Sequence, residues 1–109
     1  MMKVIIIKTD GTLAIENIRK GLEAKRKVVG GDLESISLDD QLSMIMYVNE
    51  IGKLQMLPRN EIATSIIQSY LPTEDWVAGN ALICGCDSMG ASCDLTEDQI
   101  QEIKDKASA

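Results

Sequence analysis

Lys3-Val4-Ile5-Ile6-Ile7-Lys8 is a β-branched apolar run with no polar interruption, closed by Thr9-Asp10-Gly11-Thr12. Continuous apolarity over so short a stretch predicts a strand buried on both faces and central in a sheet. Leu13 to Glu16 reads as a short second strand. Asn17 then stands where it can cap a helix whose Ile18, Leu22, Val28 and Val29 fall roughly on one face, and Gly30-Gly31 stops that helix. From Asp32 to Leu38 the chain alternates with imperfect phase, and from Gln41 to Val48 it alternates cleanly. In the second run Leu42, Met44, Met46 and Val48 share one face, while Ser43, Ile45, Tyr47 and Asn49 share the other. Asp39-Asp40 between the two runs is the turn of a hairpin.

Pro58 suits the first turn of a helix, and Ile62, Ile66, Ile67 and Tyr70 recur behind it at helical spacing, so a helix is predicted from about Arg59 to Ser69. Leu71-Pro72-Thr73 ends it. Trp76-Val77 and Asn80 to Gly85 are short strand candidates separated by Gly79, and Asp87 to Ala91 is a loop tip. Thr96 with Gln99 forms a capping box, and Ile100 and Ile103 give the stripe of a last helix running to about Lys106. This order predicts a single α+β domain over residues 1–109: a mostly antiparallel or mixed sheet of about four to five strands, with about three helices packed on one of its faces.

Composition constrains what such a domain can do. With no Phe, one Trp and two Tyr, the core must be aliphatic, with methionine filling irregular gaps. A net charge of -6 repels phosphate backbones and anionic lipid, which argues against nucleic acid and membrane partners. No apolar run is long enough for a bilayer or a signal peptide, so a cytoplasmic location is expected. Cys84, Cys86 and Cys93 are an odd-numbered set that reads as reduced thiols. Tetrahedral zinc needs four ligands and the chain has no His, so no metal site is expected, and neither is any cofactor. Arg19, Lys20, Lys25, Arg26 and Lys27 make the first helix a basic island, read as a solvated face whose alkyl stems lie on the core.

Candidate chemistry gathers between Tyr47 and Glu61, where polar and turn-forming residues separate two apolar runs. Arg59 offers a planar fork for carboxylate or phosphate, Asn49 and Asn60 are orienting donors, Glu50 adjoins them, and the helix after Pro58 presents free N–H groups to an anion. The competing reading needs no ligand: Asn49 and Gly52 make a turn, and Asn60 or a neighbour caps the helix. Trp76 is an amphipathic anchor candidate or a core plug, and Asn80 completes the set of candidate binding residues. No catalytic residue is assigned. The usual general base is absent, and Asp39-Asp40, Glu74-Asp75 and Glu97-Asp98 are adjacent pairs whose side chains point apart.

Five phrases also occur here in a fixed order: Gly30-Gly31; Val48-Asn49-Glu50 with Gly52 and Leu54; Leu57-Pro58 with Asn60; Trp76-Val77-Ala78-Gly79-Asn80-Ala81-Leu82-Ile83-Cys84-Gly85; and Leu95-Thr96-Glu97-Asp98-Gln99-Ile100. Together they resemble domain of unknown function 3846, a family of small proteins from phages, plasmids, conjugative elements and their bacterial hosts. The resemblance covers nearly the whole chain, which departs from the pattern by an insertion from Ser88 to Cys93. It carries over no catalytic residue. What it implies is a non-enzymatic accessory protein of a mobile element that binds a host protein or a phosphate-bearing, nucleotide-like ligand stoichiometrically, as a homo-oligomer or alone, with counter-defence as its purpose. The alternative is a carboxylate- and metal-dependent hydrolase or transferase acting on a nucleotide. A third reading, an acidic mimic of DNA, rests on charge alone.

Overall fold

The computed structural model describes residues 1–108. Its strands are β1 (Met2–Ile7), β2 (Leu13–Ile18), β3 (Leu33–Ser37), β4 (Met44–Asn49), β5 (Ala81–Cys86) and β6 (Ser92–Cys93). The helices are α1 (Leu22–Val29), α2 (Glu61–Tyr70) and α3 (Glu97–Ala107). The strands form one antiparallel sheet in the order β2-β1-β5-β4-β3, with β6 paired to the end of β5.

The uninterrupted apolar runs take interior positions because only there can both faces be covered. β1 sends Ile5 and Ile7 to one side and Met2, Val4 and Ile6 to the other, and β5 does the same with Ile83 and with Leu82 and Cys84. On the first side Met44, Met46 and Val48 of β4 join Ile66 and Ile67 of α2 and Ile100 and Ile103 of α3 in the larger core. On the second side Val28 of α1 and Tyr47 of β4 pack on the smaller one. The expectation that all helices share one face is therefore corrected: α1 covers one face, α2 and α3 the other. A sheet whose interior strands β1 and β5 are apolar on both faces needs both covers. Truncating a wholly buried residue such as Ile83 to Ala would cost about 2–5 kcal/mol.

Three local expectations also change. Asn17 caps nothing, since β2 pairs with β1 along its full length and sets Asn17 opposite Lys3, while α1 starts behind Gly21 without a side-chain cap. Trp76-Val77 is not a strand; a single bridge joins Arg59 to Ala78. Pro58 precedes the cap residue Asn60 rather than entering α2. The hairpin β3–β4 holds, with Asp39 accepting bonds from the Ser43 and Met44 amides across its turn. The capping box of α3 holds as well: Gln99 N–H donates to Thr96 Oγ1 at 3.1 Å and Thr96 N–H to Gln99 Oε1 at 2.9 Å. Gly30 ends α1 in the left-handed conformation, with φ +81°.

Of the basic island only Lys25, Arg26 and Lys27 lie on α1, since Arg19 and Lys20 stand between β2 and the helix; most of it is solvated, as expected, and Arg26 pairs with Asp32. Lys25 is the exception. It is buried against the sheet, its Nζ lies 4.3 Å from the Tyr47 ring centroid, and it donates to Ser92 Oγ of β6. The lysine thus ties the short terminal strand to α1 through a cation–π contact and a hydrogen bond, in place of an ion pair.

Candidate functional site

The segment after β4 folds by satisfying its own backbone. Ile51 N–H donates to Asn49 Oδ1 at 2.9 Å, and Asn49 Nδ2 reaches Gln55 Oε1 at 3.1 Å and the Val29 carbonyl at 3.4 Å. Gly52 lets this turn lie directly on the chain at Ala78, where a Cβ on Gly52 would sit 2.7 Å from the Ala78 carbonyl oxygen. Residues 58–60 then clamp 77–79: Gly79 N–H donates to the Pro58 carbonyl at 2.8 Å and Asn60 N–H to the Val77 carbonyl at 2.7 Å. Asn60 itself is 1% exposed. Its Oδ1 caps α2 through Ala63 N–H at 3.1 Å, and its Nδ2 donates to the carbonyls of Ile7 at 2.9 Å and Gly79 at 3.0 Å.

This clamp holds Trp76 half-buried in the lining of a cleft of about 400 Å³, at the end of the sheet where β3 is the edge strand. The floor is Ile36 and Val48, Ile67 of α2 forms one wall, and Ile51 and Leu54 form a lip. Two cations stand over the Trp76 ring, Lys53 Nζ at 4.7 Å and the Arg59 guanidinium carbon at 5.6 Å from its centroid. Both cations are also paired, Lys53 with Asp75 and Arg59 with Glu61 at 2.9 Å. The hydrogen bond from Lys53, with a second from the Trp76 amide, holds the Asp75 carboxyl below its ordinary range. Glu34 and Glu50 line the cleft with no ion-pair partner among the described residues. The loop that makes the lip is unusually apolar at its surface: Leu54 is 83% and Met56 88% exposed.

The residues singled out from the sequence therefore part company. Asn49, Glu50 and Trp76 line the cleft, and Arg59 joins it from above the indole ring. Asn49 and Asn60 are buried, with their amide groups committed to turn, cap and clamp, so the donor set of Asn49, Arg59 and Asn60 does not assemble as one recognition surface. Asn80 lies elsewhere: it accepts from Thr9 N–H at 3.1 Å and lines a second, shallower depression with Leu57 and Pro58. Asp75, Glu34 and Ile36 were not legible as site residues because they come from separate segments that only the fold brings together, whereas Lys53 lies within the Tyr47 to Glu61 stretch and only its place over the Trp76 ring marks it. The exposed lip had a readable signal, since Ile51, Leu54 and Met56 are large apolar residues in a stretch with neither helical nor strand period.

The thiols are all free; Cys84 is buried on the α1 side, where desolvation pushes its pKa up, which suits packing rather than reactivity. Among the described residues no three Cys, Asp or Glu side chains converge as ligands for a metal ion, and no helix is long and apolar enough to cross a membrane. No curated protein and no solved structure matches the chain. The family model Domain of unknown function (DUF3846) matches residues 2–108, nearly the whole length. The chain belongs to the DUF3846 family.

Proposed function

We propose that the protein is a non-enzymatic accessory factor of a phage or mobile element that acts stoichiometrically, by docking a partner protein at the Trp76 cleft. The observation that carries this reading is a half-buried indole lining a cleft beside the exposed Leu54 and Met56. Indole rings and adjoining apolar side chains that can be fully desolvated are where interfaces concentrate their energy. The electrostatics favour a protein over a phosphate-bearing ligand: Lys53 and Arg59 are already neutralised by Asp75 and Glu61, while Glu34 and Glu50 face the opening. An anion entering there would meet more negative than positive charge. Counter-defence, by occupying a host effector, is the purpose that a mobile-element origin motivates.

The test is the intact mass of the chain isolated from the cells that express it naturally. The expected result is a partner held at a fixed ratio, released chemically unchanged on denaturation, and lost from both Trp76→Ala and Arg59→Ala. A partner retained equally by Trp76→Ala, or turnover in a screen of nucleotides and phosphoesters, would overturn the proposal.

A further inference from the structure

The cleft opens beside an unprotected sheet edge. Glu50 N–H donates to the Asp32 carbonyl at 2.8 Å and Leu38 N–H to the Met44 carbonyl at 3.0 Å, which fixes the parity of the β3–β4 ladder. In an antiparallel pair the hydrogen-bonded positions alternate, so Glu34 and Ile36 turn their backbone groups toward β4. Leu33, Ser35 and Ser37 turn theirs outward, and none of them finds a backbone partner elsewhere among the described residues. Of the usual guards of a free edge, β3 has no proline, no lysine and no break in register; its one charge is Glu34. The opposite edge strand, β2, lines neither cleft.

Side chains alternate between the faces, so Glu34 and Ile36 are the β3 residues that face the cleft. They are also the positions at which an added strand would bring its side chains closest, because non-hydrogen-bonded cross-strand pairs stand about 4.5 Å apart at Cα.

From this juxtaposition we infer that the partner adds an antiparallel strand to the free edge of β3, placing an apolar residue opposite Ile36 and, two residues later, a lysine or arginine opposite Glu34. This rests on the Trp76 cleft being the docking site and specifies how it is used. The outward groups of Leu33, Ser35 and Ser37 supply main-chain affinity, and the cleft supplies selection. The apolar side chain extends the floor of Ile36 and Val48 beyond the β3 edge, and the cation finds Glu34 with Glu50 nearby, both without ion-pair partners among the described residues. Charge also argues against a second copy as the occupant: this chain carries a net charge of -6, and its own β3 offers no cation to set against Glu34.

The probe is a displayed library of short random peptides, selected on the whole chain. Selected peptides should share the apolar-x-basic spacing, and binding should protect the amides of Leu33, Ser35 and Ser37 from hydrogen exchange. Ser35→Pro removes an outward N–H, leaves the ladder to β4 intact, and should weaken a selected peptide about tenfold or more. Glu34→Lys should do likewise, and changing the peptide's basic residue to glutamate should restore affinity for that variant, a rescue that does not depend on how Ser35→Pro folds. Peptides abolished by Trp76→Ala but indifferent to both Ser35→Pro and the charge exchange would overturn strand addition and leave the cleft as the docking site. Peptides that respond to Ser35→Pro and the charge exchange but not to Trp76→Ala would support strand addition and sink the cleft reading. Failure to select any peptide, or a concentration-dependent dimer that Ser35→Pro dissolves, would overturn the inference.

Discussion

Asn60 does more for this fold than a helix cap normally does. Its oxygen satisfies Ala63 N–H, and its amide nitrogen joins the carbonyls of β1 and of the turn before β5, so one side chain holds three segments. Asn60→Ala removes the cap and strands two carbonyls, and urea unfolding should show a loss of roughly 3 kcal/mol. Asn60→Asp retains the cap oxygen and should be no better, because a carboxylate would then face the Ile7 and Gly79 carbonyls; full recovery would show that only the cap matters. The cap was legible from the sequence, one of two options there. Its bonds to β1 were not, since they connect positions 53 apart in the chain. Asp75 gives a second prediction. Its folded-state pKa is depressed by the Lys53 and Trp76 bonds, so the stability it contributes is present above its unfolded value and is lost as pH falls through the folded one. Fluorescence of the single tryptophan should therefore report a transition below the ordinary value of 3.8, absent from Asp75→Asn. The same transition in that variant would assign it to another group.

Elements were readable where period and caps agreed. The clean alternation of β4, the helical spacing of α2 and the capping box of α3 are local patterns, and the fold keeps them. The side of the sheet taken by α1 is not a local property: Val28 and Val29 mark an apolar stripe but not the strand face that receives it. β6 is two residues long, too short for a period, and exists because Gly85 and Cys86 leave an edge for it next to β1. The placement of Trp76 is likewise set between elements, by the turn at Gly52 lying on Ala78. Gly52→Ala should force a shift at that contact, costing about 1–3 kcal/mol and altering the tryptophan spectrum before global unfolding. An unchanged spectrum at native stability would show that the 51–57 loop does not position the cleft.

At the scale of the whole molecule, the sheet is covered on both faces, and the Trp76 cleft is lined from β3, β4 and α2, beside a loop that keeps apolar residues in water. Nothing in the core requires Leu54 or Met56 to be apolar, so their replacement by aspartate should change stability by less than about 0.5 kcal/mol while removing partner capture. This surface was only partly legible. Asn49, Glu50, Arg59 and Trp76 named its neighbourhood, whereas the charge arrangement that favours a protein over a phosphate depends on Glu34 and Asp75, remote in sequence. The most direct test places a photoactivatable cross-linker at position 54 and, as a control, at Ile15, another exposed apolar side chain, on β2. One adduct of discrete mass from position 54, absent from position 15 and abolished by Trp76→Ala, is the predicted result. Equal labelling from both positions, or none from position 54, would contradict docking at the Trp76 cleft.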